Sequence, residues 1–428
     1  MMKKLFFTLS LVWLNLLAGA QLQPDKTYMP GIAGIKLFQY GNQMGYPIIT
    51  LGSTNSLELH FDELGTTIKN YSYTYQLCNA DWKPVELSEM DYIDGFLQNR
   101  LNQYRISSIA NVKYIHYQAM FPVKNSMPSK AGNYMLKVFL NGDTSKLAFT
   151  RRMLVVNNSV PIGVTIKQPY NSAAVRTHQK VQFTINVTSL NIFNPQQQLK
   201  VVVLQNYKWD NAITGKQPVF MRGNNYEYNG EQDFLFPAGK EYRWLNLKSF
   251  RFLSERIDHI DKDSIPVDVY LKPDLDRSRD RILMLQDYDG MFEVNCTDAN
   301  NPWWQGDYGH VHFTYVPSGN QPFMDKDVYI MGEMAGNIAN DSTRLTYNAT
   351  KGVYEKTLFL KQGYYNYQYV TKDKRVKNAP IETAYTEGDY WEAQNTYTVL
   401  VYYRSLSGRA DELLGATSIN SRTFLKGL

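Results

Sequence analysis

The sequence is poor in the residues that most often carry chemistry. Cysteine occurs twice in 428 residues, at Cys78 and Cys296, and neither has the spacing of a zinc or dithiol motif. The two lie 218 positions apart (296 − 78). An exported chain permits a disulfide between them; equally, each could be a small buried side chain. Histidine occurs six times, and no HExxH pair, phosphate loop or GxSxG elbow is present. His310 and His312 share one strand face with Asp307 nearby. A catalytic metal needs three protein ligands and an open position, so this pair reads as a wet strand face. Asp274, Asp276 and Asp280 alternate as calcium ligands do, but positions six and twelve of that loop are Arg279 and Leu285, where Gly and Glu are required. The stretch reads as a solvated loop. No catalytic, cofactor-binding or metal-binding residue is assigned, and the chain reads as a non-enzyme.

Charge of one sign is also scarce. The formal net charge is +5, and removal of Lys3 and Lys4 with a leader would leave about +3. Basic and acidic residues are interspersed, which argues against a nucleic-acid partner. Beyond the first 20 residues no run approaches the roughly 20 apolar residues of a membrane-spanning helix.

The N-terminus reads as an export signal. Lys3 and Lys4 precede the apolar run from Leu5 to Leu17, and Ala18, Gly19 and Ala20 give the small-x-small pattern of a signal peptidase site. Cleavage is expected between Ala20 and Gln21, leaving an exported chain whose first residue is Gln rather than a lipid-bearing Cys.

What the mature sequence has in abundance is tyrosine, 32 residues, with strand periodicity. Tyr71, Tyr73 and Tyr75 alternate with Ser72, Thr74 and Gln76, which puts the tyrosines on one sheet face. The run from Tyr134 to Leu140, then Asn141-Gly142, then a run from Leu147 to Val156 is a hairpin signal, because both turn residues tolerate positive φ. Further strands are predicted at 181–187, 199–204, 267–271 and 310–316. Residues 91–100 suit a short helical turn or a structured loop. The expected fold class is all-β, built of tandem β-sandwich domains with few short helices. Pro and Gly breaks divide the mature chain into an N-terminal sandwich at 21–158, a second β-rich domain at 159–318, a third sandwich at 319–404 and a loosely ordered tail at 405–428. The third block resembles immunoglobulin-like early-set modules of starch-active enzymes. Met334-Ala335-Gly336-Asn337 stands where those modules often place a sugar-stacking tryptophan.

A more specific pattern runs from Tyr71 to Phe96. It includes Cys78-Asn79-Ala80-Asp81-Trp82-Lys83-Pro84 and Asp91-Tyr92-Ile93-Asp94-Gly95-Phe96. With the segments 46–52, 132–138 and 401–415, it resembles the type IX secretion system plug family of Bacteroidetes along nearly the whole mature chain. Asn79 stands where an acidic residue is expected. The resemblance implies a periplasmic protein that docks on the periplasmic mouth of a very large outer-membrane β-barrel translocon and closes it. The motif residues Asn79, Asp81, Trp82, Asp91, Tyr92, Gly95 and Phe96 are then either structural or in contact with the partner. On their residue types, Trp82, Tyr92 and Phe96 suit packing, Gly95 a positive-φ turn and Asp81 a loop cap. A competing reading is a periplasmic glycan-binding protein, with Trp303, Trp304 and Trp391 as stacking platforms.

Overall fold

The computed structural model describes residues 22–280 and 287–425. Alternating side chains pair the strands into three β-sandwiches. In the first, Ile32–Gln39, Leu57–Leu64, Tyr114–Phe121 and Gln103–Ile106 form one sheet, in that order. The facing sheet is Ile48–Thr50, Leu147–Val156, Gly132–Leu140, Tyr71–Cys78 and Asn99–Arg100. Tyr71, Tyr73, Tyr75 and Leu77 all point into the core between the sheets, against Phe61, Tyr117 and Phe149. The predicted hairpin is present: Gly132–Leu140 pairs antiparallel with Leu147–Val156, and Asn141 and Gly142 both have positive φ.

The second sandwich sets Ile162–Lys167, His178–Asn186, Asn225–Tyr228, Phe220–Arg222 and Leu235–Pro237 against Ile213–Thr214, Leu199–Gln205, Thr396–Tyr403 and Glu412–Asn420. The third sets Arg243–Asn246, Gly363–Asp373, Phe292–Val294 and Lys326–Met331 against a sheet built around Tyr308–Val316 and Val353–Lys361.

The all-β sandwich class is as expected, but the order of domains in the chain is not. The expected boundary between 318 and 319 falls inside the third sandwich, because Tyr308–Val316 pairs with Val353–Lys361 over eight residue pairs. The Pro and Gly cluster at 317–322 is only a turn between two strands of that sandwich. The chain then returns: Thr396–Tyr403 pairs with Leu199–Gln205. The tail expected to be loose carries Glu412–Asn420, which pairs with Thr396–Tyr403. The third sandwich is thus nested within the second.

This return explains several continuous apolar runs. Val201, Val203, Val399 and Val401 fill the core of the second sandwich, while the alternate residues Val202, Leu204, Leu400 and Tyr402 face the other way. There they meet Cys78, Met135, Leu154 and Val156 of the first sandwich. Strands buried on both faces lose their polar alternation, and two sandwiches are joined sheet to sheet.

Candidate functional site

Two residues of the sequence motif, Asn79 and Trp82, lie where the first sandwich meets the second. The strand Tyr71–Cys78 ends in a tight turn in which the Trp82 N–H donates to the Asn79 carbonyl at 2.9 Å. Trp82 takes a positive φ of 64°, which turns its ring into the seam. It packs edge-on against Trp209 of the second sandwich, with centroids 4.8 Å apart. The Arg152 guanidinium lies 5.0 Å from one ring and 5.3 Å from the other, a cation–π arrangement in a desolvated place.

Beside it, Asp411 from the returning chain is only 1% exposed. Its carboxylate accepts from the Ala80 N–H at 3.0 Å, Lys200 Nζ at 2.9 Å and Arg404 Nε at 2.8 Å. Asn79 Oδ1 accepts from Arg404 Nη2 at 2.6 Å and from the Asp411 N–H at 3.2 Å. The side chain at position 79 is used purely as an acceptor, so an acidic residue and Asn can fill the same role. The Tyr402 hydroxyl donates to Asn133 Oδ1 at 2.8 Å, closing a buried polar set in which each partner is satisfied.

The rest of the motif leaves the seam. Asp81 Oδ1 caps its own turn by accepting the Lys83 N–H at 3.2 Å. The Asp91 carboxylate accepts the Ser88 N–H at 3.0 Å in a capping box. Tyr92 is fully buried. Gly95 has φ +97°, and a Cβ there would stand 2.2 Å from the Asn125 carbonyl oxygen, so no other residue fits. Phe96, expected to pack, is instead 63% exposed, and Met90 on the same loop is 76% exposed. The loop is anchored by Tyr92 and Gly95 and presents apolar side chains outward. Ala18, Ala20 and Gln21 lie outside the described residues.

A second seam joins the first sandwich to the third. It centres on Asp62, which is wholly enclosed. Asp62 Oδ2 accepts from Lys361 Nζ at 2.5 Å and from the Tyr308 hydroxyl at 2.6 Å, both from the third sandwich. Its Oδ1 lies 2.7 Å from His116 Nδ1. His116 Nε2 is 2.9 Å from His60 Nδ1, and His60 Nε2 is 2.9 Å from Glu58 Oε1. Trp303 of the third sandwich stacks on His60 at 3.7 Å. Burial opposes the charge on Asp62, but Lys361 and His116 outweigh it and hold the carboxyl below its ordinary range. Burial pulls the Lys361 ammonium down against the attraction of Asp62. Burial likewise lowers His60, and lowers His116 to about 4.

Proton counting makes this relay unusual. Three hydrogen bonds join two carboxylates through two imidazoles, and each needs one proton. Two neutral imidazoles carry only two N–H groups. Two neutral rings therefore fill two of the three bonds, and one further proton on the relay fills the third. Around the relay, Asp307 accepts from the Asn111 and Val112 N–H groups at 2.9 and 3.0 Å. Lys36 pairs with Glu333 at 2.6 Å, and Gln43 exchanges two hydrogen bonds with the backbone of Val294.

None of Asp62, His116, Lys361 or Tyr308 was singled out by sequence, because nothing local announces that residues about 300 positions apart converge. Arg404 and Asp411 lay in the C-terminal segment of the resemblance, which was the one available signal. Asp274 was read as a solvated loop residue; it is buried, accepting from Arg243 at 3.1 Å and from the hydroxyls of Tyr367 and Tyr369 at 2.8 and 3.0 Å. His312 pairs with Asp268 at 2.7 Å, and His310 lies against Phe359. Cys78 and Cys296 are separate buried thiols.

Comparison with known proteins bears on these seams. Residues 32–157, the sandwich that carries the motif, match the family described as Type 9 secretion system plug protein 1st domain. A crystal structure of a hypothetical protein from Parabacteroides merdae superposes with a TM-score of 0.89 at 31% identity, covering 93% of this chain and 99% of that one. Comparison with curated proteins finds no match. The motif and the matched first sandwich lead to one assignment: this chain belongs to the type IX secretion system plug protein family.

Proposed function

We propose that the protein acts without catalysis, as a periplasmic plug that docks on the periplasmic opening of the outer-membrane translocon barrel and seals it during type IX secretion. The observation that carries this reading is the family match of the first sandwich, set in a body whose three sandwiches are tied by buried charged seams. Closing a water-filled barrel calls for a stiff object of fixed shape, since a hinged one would leak at its joints. Buried ion pairs and sheet-to-sheet packing supply that stiffness. Release when cargo passes favours a polar interface of moderate size, and the exposed, rigidly anchored loop with Met90 and Phe96 offers a few apolar contacts within a largely polar surface.

The glycan-binding alternative loses its platforms. Trp391 is buried, and Trp303 is stacked on His60, with Phe38 alongside, inside the seam. Trp304 is half-buried beneath Arg105.

An affinity-tagged copy expressed in its native envelope is expected to retain an outer-membrane barrel of the secretion system through mild detergent extraction, identified by mass spectrometry. Deleting the protein should raise outer-membrane permeability to small dyes. Recovery of no barrel component in repeated captures would remove the proposal.

A further inference from the structure

One sheet edge of the first sandwich is bare. The strand Gln103–Ile106 pairs with Tyr114–Phe121 on one side and ends its sheet on the other. The Ser107 N–H donates to the Tyr114 carbonyl at 2.9 Å, which sets the phase of the ladder. Gln103, Arg105 and Ser107 turn their backbone groups towards Tyr114–Phe121, and Tyr104 and Ile106 turn theirs outward, because antiparallel pairing alternates. Among the described residues no hydrogen bond reaches the N–H or C=O of Tyr104 or Ile106.

Edge strands usually carry a device that blocks pairing with another chain, such as charges, proline or a bulge. Ile257–Asp261 has Asp258, His259 and Asp261 along it and a shift of register. Gln103–Ile106 has no lysine or proline, and its register is unbroken. On one face Tyr104 leans on Tyr117, with centroids 5.9 Å apart, yet Tyr104 is 44% and Ile106 61% exposed. On the other face Gln103 accepts from Gln118 at 3.1 Å. Arg105 lies there 5.7 Å from the ring of Trp304, and no ion pair among the described residues includes it. Three residues on, Ile109 is 67% exposed with a φ of +66°, a conformation rare for a β-branched side chain. An isoleucine held outward in that conformation points to a function for the segment.

A row of outward N–H and C=O groups is matched by another extended backbone, and the side chains say which kind. We infer that Gln103–Ile106 takes an extended segment of a second protein by strand addition, with apolar residues opposite Tyr104 and Ile106 and an acidic residue between them opposite Arg105. In the antiparallel arrangement Arg105 falls at a non-hydrogen-bonded pair, where facing side chains stand closest. A second copy of this chain fits poorly. The one register that uses both outward residues of each copy centres on Arg105 and sets two guanidiniums opposite each other, and like charges so placed repel. Assigning the segment to the translocon rests on the plugging role. Strand addition itself does not, and it is tested without the barrel.

The probe is a fluorescent, end-blocked peptide of sequence Thr-Ile-Glu-Ile-Thr, titrated with the purified mature protein and followed by anisotropy. It should bind with a Kd of the order of 0.1 mM, as suits a short strand that fills no deep pocket. The same peptide with lysine for glutamate should bind about threefold more weakly, and an Arg105→Glu protein should reverse that order. Methylating the two isoleucine amides, which face the edge, should weaken binding about tenfold or more. Ile106→Pro should do the same from the protein side; it removes only an outward N–H and leaves the strand's own ladder intact. If Ile106→Pro fails to fold by circular dichroism, the methylated peptide on the native protein decides. Strand addition is overturned if the parent peptide does not bind at about 1 mM, or if the methylated peptide binds within about threefold of it. It is also overturned if a folded Ile106→Pro protein binds as the native one does, or if the lysine peptide binds as tightly as the glutamate one. A native dimer in sedimentation that Ile106→Pro dissolves would give the edge to a second copy and overturn it equally.

Discussion

Replacing Lys361 by methionine is expected to lower the unfolding free energy by about 3–5 kcal/mol, the usual cost of removing one partner of a buried ion pair. The side chains are similar in length, so little packing is lost. What is lost is the countercharge of Asp62, which is enclosed on all sides and would keep only Tyr308 and His116 as partners. The double variant Asp62→Asn with Lys361→Met should recover a large part of that loss, because the uncompensated charge is then gone. A double-mutant cycle by urea unfolding, read at the midpoint with its slope checked for two-state behaviour, measures both. If the single variant loses less than about 1 kcal/mol, the seam does not weld the domains.

The second large effect is in pH. His116 is held to about 4 by burial, against its bond to Asp62. In the unfolded chain the same ring takes its proton near pH 6.5. Between those values the unfolded state binds a proton that the folded state refuses, so stability contributed by His116 is full above about pH 6.5 and is lost as pH falls towards 4. The slope is about 1.4 kcal/mol per pH unit, for a total of about 3 kcal/mol. Asp289, raised to about 7 first by burial and then by Asp287, titrates in the opposite sense, because its folded form holds a proton that the unfolded carboxyl has released. The comparison must therefore be with His116→Gln, which keeps an amide donor for Asp62 and cannot titrate. Native protein should lose about 3 kcal/mol more than this variant between pH 6.5 and 4 in parallel urea series. Equal losses would contradict the burial penalty on a charged His116.

The fold and the site were legible in the sequence to different depths. The tyrosine alternation at 71–75, the Asn141-Gly142 hairpin and the strands near 199–204 and 267–271 could be read because each is a local signal: period-two alternation, a turn dipeptide or a short apolar β-branched run. Nesting of the third sandwich could not. It depends on a strand at Thr396–Tyr403 choosing a partner almost 200 residues earlier, and the Pro and Gly cluster at 317–322 looks the same whether it separates domains or turns a chain inside one. The motif 79–96 was visible as a pattern, and Gly95 and Asp81 do what their types suggest. Phe96 misled because an aromatic is usually packed; here the anchors are Tyr92 and Gly95. The Asp62 relay was invisible because its members are ordinary residues on four separate strands, and only the docked sandwiches bring them within 3 Å of one another.

The central claim is that a stiff three-sandwich body closes the translocon, and ion conductance through that translocon measures it most directly. The barrel would be purified from a strain lacking this protein and placed in a planar bilayer, with the mature protein then added on the periplasmic side. The account predicts a saturable, stepwise fall of the current to the bilayer leak, reversed on washing. A current unchanged at saturating protein would contradict it.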